Sequence, residues 1–141
     1  MKLRAISVFI LLTLSLWLVA CAPPAGTSIE VSCDDFGQQP HMSKQINVAA
    51  GDTFTVTLCS NATTGFEWSE SAQISDQAVV QQTAHEFVSP ENKGLVGAPG
   101  KQEWTFKALK KGTGTIALEY SRPWEGGEKG EWAFNLIVTV K

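Results

Sequence analysis

Apolar and polar residues alternate with a period of two along most of the chain after residue 28. The clearest runs, each with one apolar and one polar face, are 29–33, 53–58, 103–108, 115–120 and 131–140. Shorter candidates are 45–49, 66–69 and 78–88. Because the alternation puts one face of each strand in a core and the other in water, it predicts antiparallel sheets.

Turn-forming residues separate these runs, at 50–52, Gly65, 110–114 and 125–130. No stretch after the N-terminal segment has the period of a helix. Seven or eight short strands with regular turns predict an all-β protein, an immunoglobulin-like antiparallel β-sandwich. Trp68 occupies the place where such folds bury a Trp on their third strand, so it supports the architecture and not a function.

Three loops carry residues that a simple turn does not need. The candidate contact residues are Asn61, Thr63, Thr64, Gly65 and Phe66 in the first loop, Gly97, Ala98, Pro99 and Gly100 in the second, and Arg122, Pro123 and Trp124 in the third. With strands lettered A to G, these are the B–C loop (61–66), the D–E loop (97–100) and the F–G loop (122–125). Such connections leave the same end of a sandwich, so the sequence predicts that they form one surface.

The composition of the loops suits contact with another protein. Trp and Arg dominate the binding energy of interfaces, and Trp124 stands beside Arg122. Pro123 restricts the backbone between them, which lowers the entropy lost on binding. Gly97 and Gly100 allow close approach of another backbone, although a plain turn is the better explanation of the D–E loop when it is taken alone.

Together the three loops resemble the binding loops of chagasin-type inhibitors of papain-like cysteine proteases, and the resemblance covers nearly the whole domain. In that family the B–C loop fills the cleft over the catalytic Cys and His, the D–E loop follows the non-primed subsites, and the F–G loop packs its Trp on the primed side. The resemblance implies reversible, steric inhibition without cleavage. Ala62 and Phe66 depart from the family pattern, which often has Pro and Tyr there.

The first 20 residues have the pattern of a secretory signal, since Lys2 and Arg4 precede an apolar run over 5–20. The segment 18–21 resembles a bacterial lipoprotein box, which implies cleavage before Cys21 and lipidation of that residue. An ordinary signal peptide or a retained membrane anchor is the alternative. We therefore expect a signal peptide at 1–20, a flexible tether at 21–28 and an inhibitor domain at 29–141. The expected location is the bacterial cell envelope, at the outer membrane or the periplasmic face.

The charge of the chain argues against a nucleic acid as its binding partner. Its 11 basic and 14 acidic residues give a net charge of −3. Removal of Lys2 and Arg4 with the signal leaves 9 basic residues against 14 acidic ones, a net charge of −5. Because the sequence has no basic patch, we expect no nucleic-acid partner. We also expect a monomer.

Cys33 and Cys59 remain once Cys21 is assigned to the lipid. An oxidising compartment permits a disulfide between them. Strand parity argues against the bond, because it places Cys33 on the apolar face of its strand and Cys59 on the polar face. The sequence leaves this disulfide open.

The residues that catalysis or metal binding would need are sparse. His41 and His85 are the only histidines, and neither has metal-ligand spacing to other ligands. No nucleophile elbow or phosphate-binding loop is present, so the sequence predicts no enzyme, cofactor or metal. The alternatives to an inhibitor are an envelope lipoprotein that scaffolds other proteins, and a carbohydrate-binding or adhesion module in which Trp124 stacks on a sugar. A carbohydrate module predicts a row of aromatic residues on a sheet face.

Overall fold

Two β-sheets packed face to face form the part of the chain that the computed structural model describes, residues 26–90 and 97–141. In spatial order, the first sheet contains β1 (Thr27–Val31), β3 (Thr53–Ser60), β7 (Gly100–Ala108) and β6 (Val80–Val88). The second contains β2 (His41–Val48), β9 (Trp132–Val140), β8 (Gly112–Ser121) and β4 (Glu67–Trp68), and β5 (Gln73–Ile74) also pairs with β8. A helix, α1 (Cys33–Gln38), connects β1 to β2.

The predicted β-sandwich is confirmed. The letters B, E and D correspond to β3, β7 and β6 in one sheet, and C, F and G correspond to β4, β8 and β9 in the other. The inward residues of both sheets form one core, and its largest fully buried side chains include Trp104, Phe106 and Phe134. Each such side chain stabilises the fold by about 1.5–3 kcal/mol relative to an exposed position. Trp68 is buried as predicted.

The prediction of purely antiparallel sheets was wrong at two edges. β1 pairs in parallel with β3, and β2 pairs in parallel with β9. A hairpin forces its two strands to be antiparallel, but each of these pairs joins strands that are distant in the sequence. Alternation reports which face of a strand is buried and carries no information about the direction of its neighbour. β1 also begins at Thr27, so the last two residues assigned to the tether belong to the sheet.

The helix α1 was missed because its six residues are too short to show a helical period. Ser32 caps it: the Ser32 hydroxyl accepts a hydrogen bond from Asp35 N (3.2 Å), and the Asp35 carboxylate accepts one from Ser32 N (3.0 Å). Hydrogen bonds from the Ser32 side chain and backbone lower the pKa of Asp35. The stabilisation by this cap is therefore complete above the ordinary pKa of Asp and is lost as the pH falls through the lowered value.

Cys33 and Cys59 form a disulfide, with their Cα atoms 5.2 Å apart. The parity argument failed because Cys33 begins α1 and does not continue β1. Cys59 is the second-last residue of β3, two residues before the B–C loop begins, and is buried. The bond therefore ties α1 to the strand that supports this loop.

The predicted signal peptide and Cys21 lie outside the described residues. Within the residues that are described, no helix is long and apolar enough to cross a membrane.

Replacing both Cys33 and Cys59 with Ala is expected to lower the free energy of unfolding by about 3.5 kcal/mol. This value is the loop-closure entropy for cysteines separated by 26 residues. Urea denaturation of the oxidised wild type and the double variant measures the difference. The wild type in excess reductant is the control and should match the double variant. Equal stability of the oxidised wild type and the variant would contradict the prediction.

Candidate functional site

The B–C, D–E and F–G loops lie together at one end of the sandwich, as predicted. The residues that line one open cavity of about 510 Å³ come from all three loops, from α1 and from the neighbouring ends of β8 and β9: Cys33, Asn61, Thr64, Phe66, Pro99, Tyr120, Arg122, Glu131 and Trp132. Strand pairing produces this convergence. Ser60 at the end of β3 pairs with Gly100 at the start of β7, and Glu67 in β4 pairs with Ser121 at the end of β8.

The B–C loop is a short 3-10 turn over Ala62–Thr64 that its own polar side chains hold in place. The Asn61 side chain accepts hydrogen bonds from Thr63 N (3.2 Å) and from the Thr63 hydroxyl (2.6 Å). The Thr64 hydroxyl donates to the Asn61 carbonyl (2.7 Å), and Gly65 closes the turn with a φ of 75°. The Asn61 cap thus orders a loop that lacks Pro at position 62, and an ordered loop loses less entropy on binding.

The core holds the start of the B–C loop through Tyr120. The Tyr120 hydroxyl accepts a hydrogen bond from Asn61 N (3.0 Å) and donates one to the Asn61 carbonyl (3.3 Å). Trp68 Nε1 donates to the Cys59 carbonyl (2.9 Å), which fixes the preceding residues of β3. Sequence alone places Tyr120 on an inward face but gives no sign that its hydroxyl reaches the loop.

Phe66 differs from the other predicted contact residues of the B–C loop because it is only 8% exposed. Its ring stacks on Tyr120 with centroids 5.5 Å apart. The guanidinium of Arg122 lies over the Phe66 ring, 4.4 Å from its centroid. Phe66 therefore supports Arg122 from inside, whereas Ala62, Thr63 and Thr64 form the exposed tip.

The described part of the D–E loop presents Gly97 and Pro99 to solvent, and Ala98 is half-buried. Gly100, also predicted as a contact residue, is instead the buried first residue of β7. A Cβ atom at Gly100 would lie 2.6 Å from the Phe87 ring and 2.9 Å from the Val88 carbonyl oxygen. Close packing inside the protein explains the glycine at this position.

The F–G loop is a tight connection that presents Trp124. Arg122 and Glu128 join its two sides through an ion pair (2.9 Å) and a bond from Arg122 N to the Glu128 carbonyl (2.8 Å). The Trp124 carbonyl accepts hydrogen bonds from Gly127 N (3.1 Å) and Lys129 Nζ (3.3 Å). Pro123 is exposed, and Trp124 is 52% exposed on this constrained backbone.

Trp124 also joins the F–G loop to the B–C loop. A Cβ atom at Gly65 would lie only 2.8 Å from Cη2 of Trp124. The ring therefore lies against the base of the B–C tip, and only a glycine at position 65 permits this contact. The two loops form one surface of apolar rings, backbone and small side chains, a combination that suits a protein interface.

Comparisons with known proteins agree with this geometry. Residues 47–138 match the family model for the chagasin family of peptidase inhibitors. Amoebiasin-2 of Entamoeba histolytica is 34% identical over 96 residues, which are 68% of this chain and 76% of that protein. Chagasin of Trypanosoma cruzi is 31% identical over 100 residues, 70% of this chain and 90% of that protein. The crystal structure of the cysteine protease inhibitor EhICP2 from Entamoeba histolytica aligns with a TM-score of 0.59 and 26% identity, covering 84% of this chain and 99% of the other.

Replacing Gly65 with Ala is expected to displace the Trp124 ring, because the new methyl group occupies its position. The free energy of unfolding should fall by about 1–2 kcal/mol from the positive φ alone. Acrylamide quenching of tryptophan fluorescence measures the displacement and should show a larger accessible fraction.

Gly51→Ala is the matched control, since Gly51 has a φ of 91° with nothing within 4 Å of an added Cβ. It should lose similar stability without any change in quenching. Equal quenching of the Gly65→Ala variant and the wild type would mean that Trp124 does not rest on Gly65 in solution.

Proposed function

The chain belongs to the chagasin family of peptidase inhibitors, and on this basis we propose that it is a reversible protein inhibitor of papain-like cysteine proteases. The observation that carries the proposal is the convergence of the three loops into one surface at the end of the sandwich. The family relationship makes the chain an inhibitor and not an enzyme.

Inhibition on this proposal is steric. The exposed tip Ala62–Thr64 enters the protease cleft over the catalytic residues. The tip is a closed 3-10 turn and not an extended segment, so it offers no peptide bond in the register of a substrate. No covalent step is required. A contact made by three loops buries on the order of 1,600 Å² in total, the size of a standard tight interface.

The two remaining loops flank the tip. Gly97, Ala98 and Pro99 lie on the side assigned to the non-primed subsites, and Pro123 and Trp124 lie on the primed side. Phe66 and Gly100 contribute from inside, because Phe66 supports Arg122 and Gly100 provides space for the Phe87 ring. Internal hydrogen bonds order the B–C and F–G loops before binding, which favours tight association.

The carbohydrate alternative has little support in this fold. Among the described residues, the exposed aromatic side chains are Phe87 and Trp124. They flank the B–C tip and do not form a row on a sheet face. The scaffold alternative makes no prediction about the shape of the B–C tip, whereas cleft occlusion requires a narrow, ordered projection.

We further propose that the protein is anchored in the bacterial cell envelope by lipid on Cys21. The support is the sequence of residues 18–21 and the signal-like segment before it. The disulfide between Cys33 and Cys59 is consistent with export, since such bonds persist in oxidising compartments.

Titration of papain or a cathepsin-L-like protease with the purified domain is expected to give stoichiometric, reversible inhibition with the inhibitor chain intact. Trp124→Ala should weaken inhibition by about 2 kcal/mol, as for an interface hot spot. Its melting temperature should stay close to that of the wild type because the ring is half exposed.

Leu109→Ala removes an apolar side chain of 40% exposure at the opposite end of the sandwich and should leave inhibition unchanged. Absence of inhibition by the wild type at micromolar concentration would refute the proposed function. A large loss of stability in Trp124→Ala would assign that ring to the core.

Lipidation is tested by expressing the full chain in a bacterium with labelled palmitate. The wild type should incorporate label and fractionate with membranes. Cys21→Ala should do neither. Label retained by the Cys21→Ala protein, or none in the wild type, would rule out the anchor.

A further inference from the structure

The large apolar side chains exposed in the described residues are concentrated at the end that carries the three loops. They are Phe87, Val88, Leu109 and Trp124. Leu109 follows β7 and lies at the opposite end, whereas Phe87 and Val88 end β6 directly before the D–E connection. Single exposed apolar residues are ordinary, but their clustering beside a binding surface indicates an extension of that surface.

Phe87 is held in a defined position although it is 48% exposed. It pairs with Gln102 of β7, so its side chain lies on the inward face of the first sheet. It remains exposed because β6 is an edge strand and the strand opposite, β4, has only two residues. The Phe87 ring packs over Gly100, where no Cβ intervenes.

A second cavity, of about 270 Å³, connects Phe87 to the B–C tip. Its lining residues come from β3, β6, β7, the B–C loop, and β4 with the segment after it: Ser60, Ala62, Phe66, Glu67, Trp68, Glu70, His85, Phe87 and Gln102. Ala62 and Phe87 thus line the same cavity, and Gly65 at the other end of the turn contacts Trp124. The two exposed aromatic rings therefore lie near different ends of this turn.

The floor of this cavity is polar but internally satisfied. Gln102 Nε2 donates to the Ser60 hydroxyl (3.1 Å), and His85 Nε2 lies 2.9 Å from Gln102 Oε1. Because these groups already have partners, they do not require polar atoms from a ligand. The part of the cavity left for contact is the apolar wall formed by Ala62, Phe66 and Phe87, and the exposed residues Glu67 and Glu70 complete the lining.

We propose that Phe87 is a second aromatic anchor, which packs against an apolar side chain on the wall of the protease cleft, near the Ala62 end of the B–C tip. This inference rests on the proposed function. Its partner is the same cysteine protease, because the Phe87 surface is continuous with the B–C loop through the shared cavity. Phe87 would then help to determine which cleft walls the inhibitor accepts.

Inhibition constants for one papain-like protease, measured with Phe87→Ala, Phe87→Lys and Phe87→Glu, test the proposal. We expect Phe87→Ala to weaken inhibition about 10- to 30-fold, as for an anchor residue. Phe87→Glu should be at least about tenfold weaker again, because its charge would be buried against an apolar wall and beside Glu67 and Glu70. Phe87→Lys should also be weaker than Phe87→Ala, but by less, because the two carboxylates offset its charge. Leu109→Ala, Leu109→Lys and Leu109→Glu are the matched controls and should stay within about twofold of the wild type. Melting temperatures verify that every variant is folded.

The possible outcomes distinguish direct contact of Phe87 with the protease from a purely structural role of Phe87 within the inhibitor. Equal losses for the Ala, Lys and Glu variants would show that Phe87 only seats the D–E loop on Gly100, which overturns the proposal. Phe87 variants that match the Leu109 controls would also overturn it, while inhibition by the wild type would leave the proposed function intact. A wild-type protein that inhibits no papain-like protease would remove both.

Discussion

A stack of aromatic rings running from the core to the surface is the interaction on which the rest of the site depends. The rings succeed one another in the order Phe36, Trp132, Tyr120 and Phe66, with centroids 4.9, 4.8 and 5.5 Å apart. Arg122 continues the series, with its guanidinium 4.4 Å from the Phe66 centroid and 5.9 Å from that of Trp124. Each aromatic pair contributes about 0.5–1.5 kcal/mol beyond burial. The stack therefore restrains the exposed Trp124 ring through a chain of contacts that begins in the rigid core.

The two ends of this stack are fixed by different chemistry. At the inner end, the disulfide of Cys33 holds α1, and α1 positions Phe36 in the core. Near the outer end, the Tyr120 hydroxyl bonds both backbone groups of Asn61 and so fixes the start of the B–C tip. Tyr120 thus has two roles: its ring packs within the stack, and its hydroxyl holds the B–C tip by hydrogen bonds. Such support favours tight binding, because a loop that is already ordered loses little conformational entropy when it meets its partner.

The sequence was sufficient to predict the β-sandwich and the convergence of the three loops, because both follow from strand alternation and strand order. It did not reach the parallel edge strands, since alternation does not encode the direction of a neighbour. It did not predict that Phe66 and Gly100, both proposed as contact residues, are buried, because residue type does not reveal which side of a loop faces the core. The helix α1 had one local signal, Ser32 followed three residues later by Asp35, but six residues give no helical period. Phe87 was passed over because the missing cover comes from β4, whose two-residue length only the fold reveals.

The hydrogen bonds of the B–C tip bear on how an inhibitor of this shape discriminates among proteases. The hydroxyls of Thr63 and Thr64 both donate within the loop, to the side chain and the carbonyl of Asn61. The tip therefore meets a partner mainly through its shape and backbone, which suits the features that papain-like clefts share. Discrimination must then come from the flanks, where Trp124 on one side presents a large exposed ring. An apolar ring distinguishes cleft walls by their shape, and a misfit of one methylene group is worth only about 1–3 kcal/mol. A tip that binds through its shape and backbone, with a large apolar ring at its flank, would thus give tight binding to many proteases and moderate preference among them.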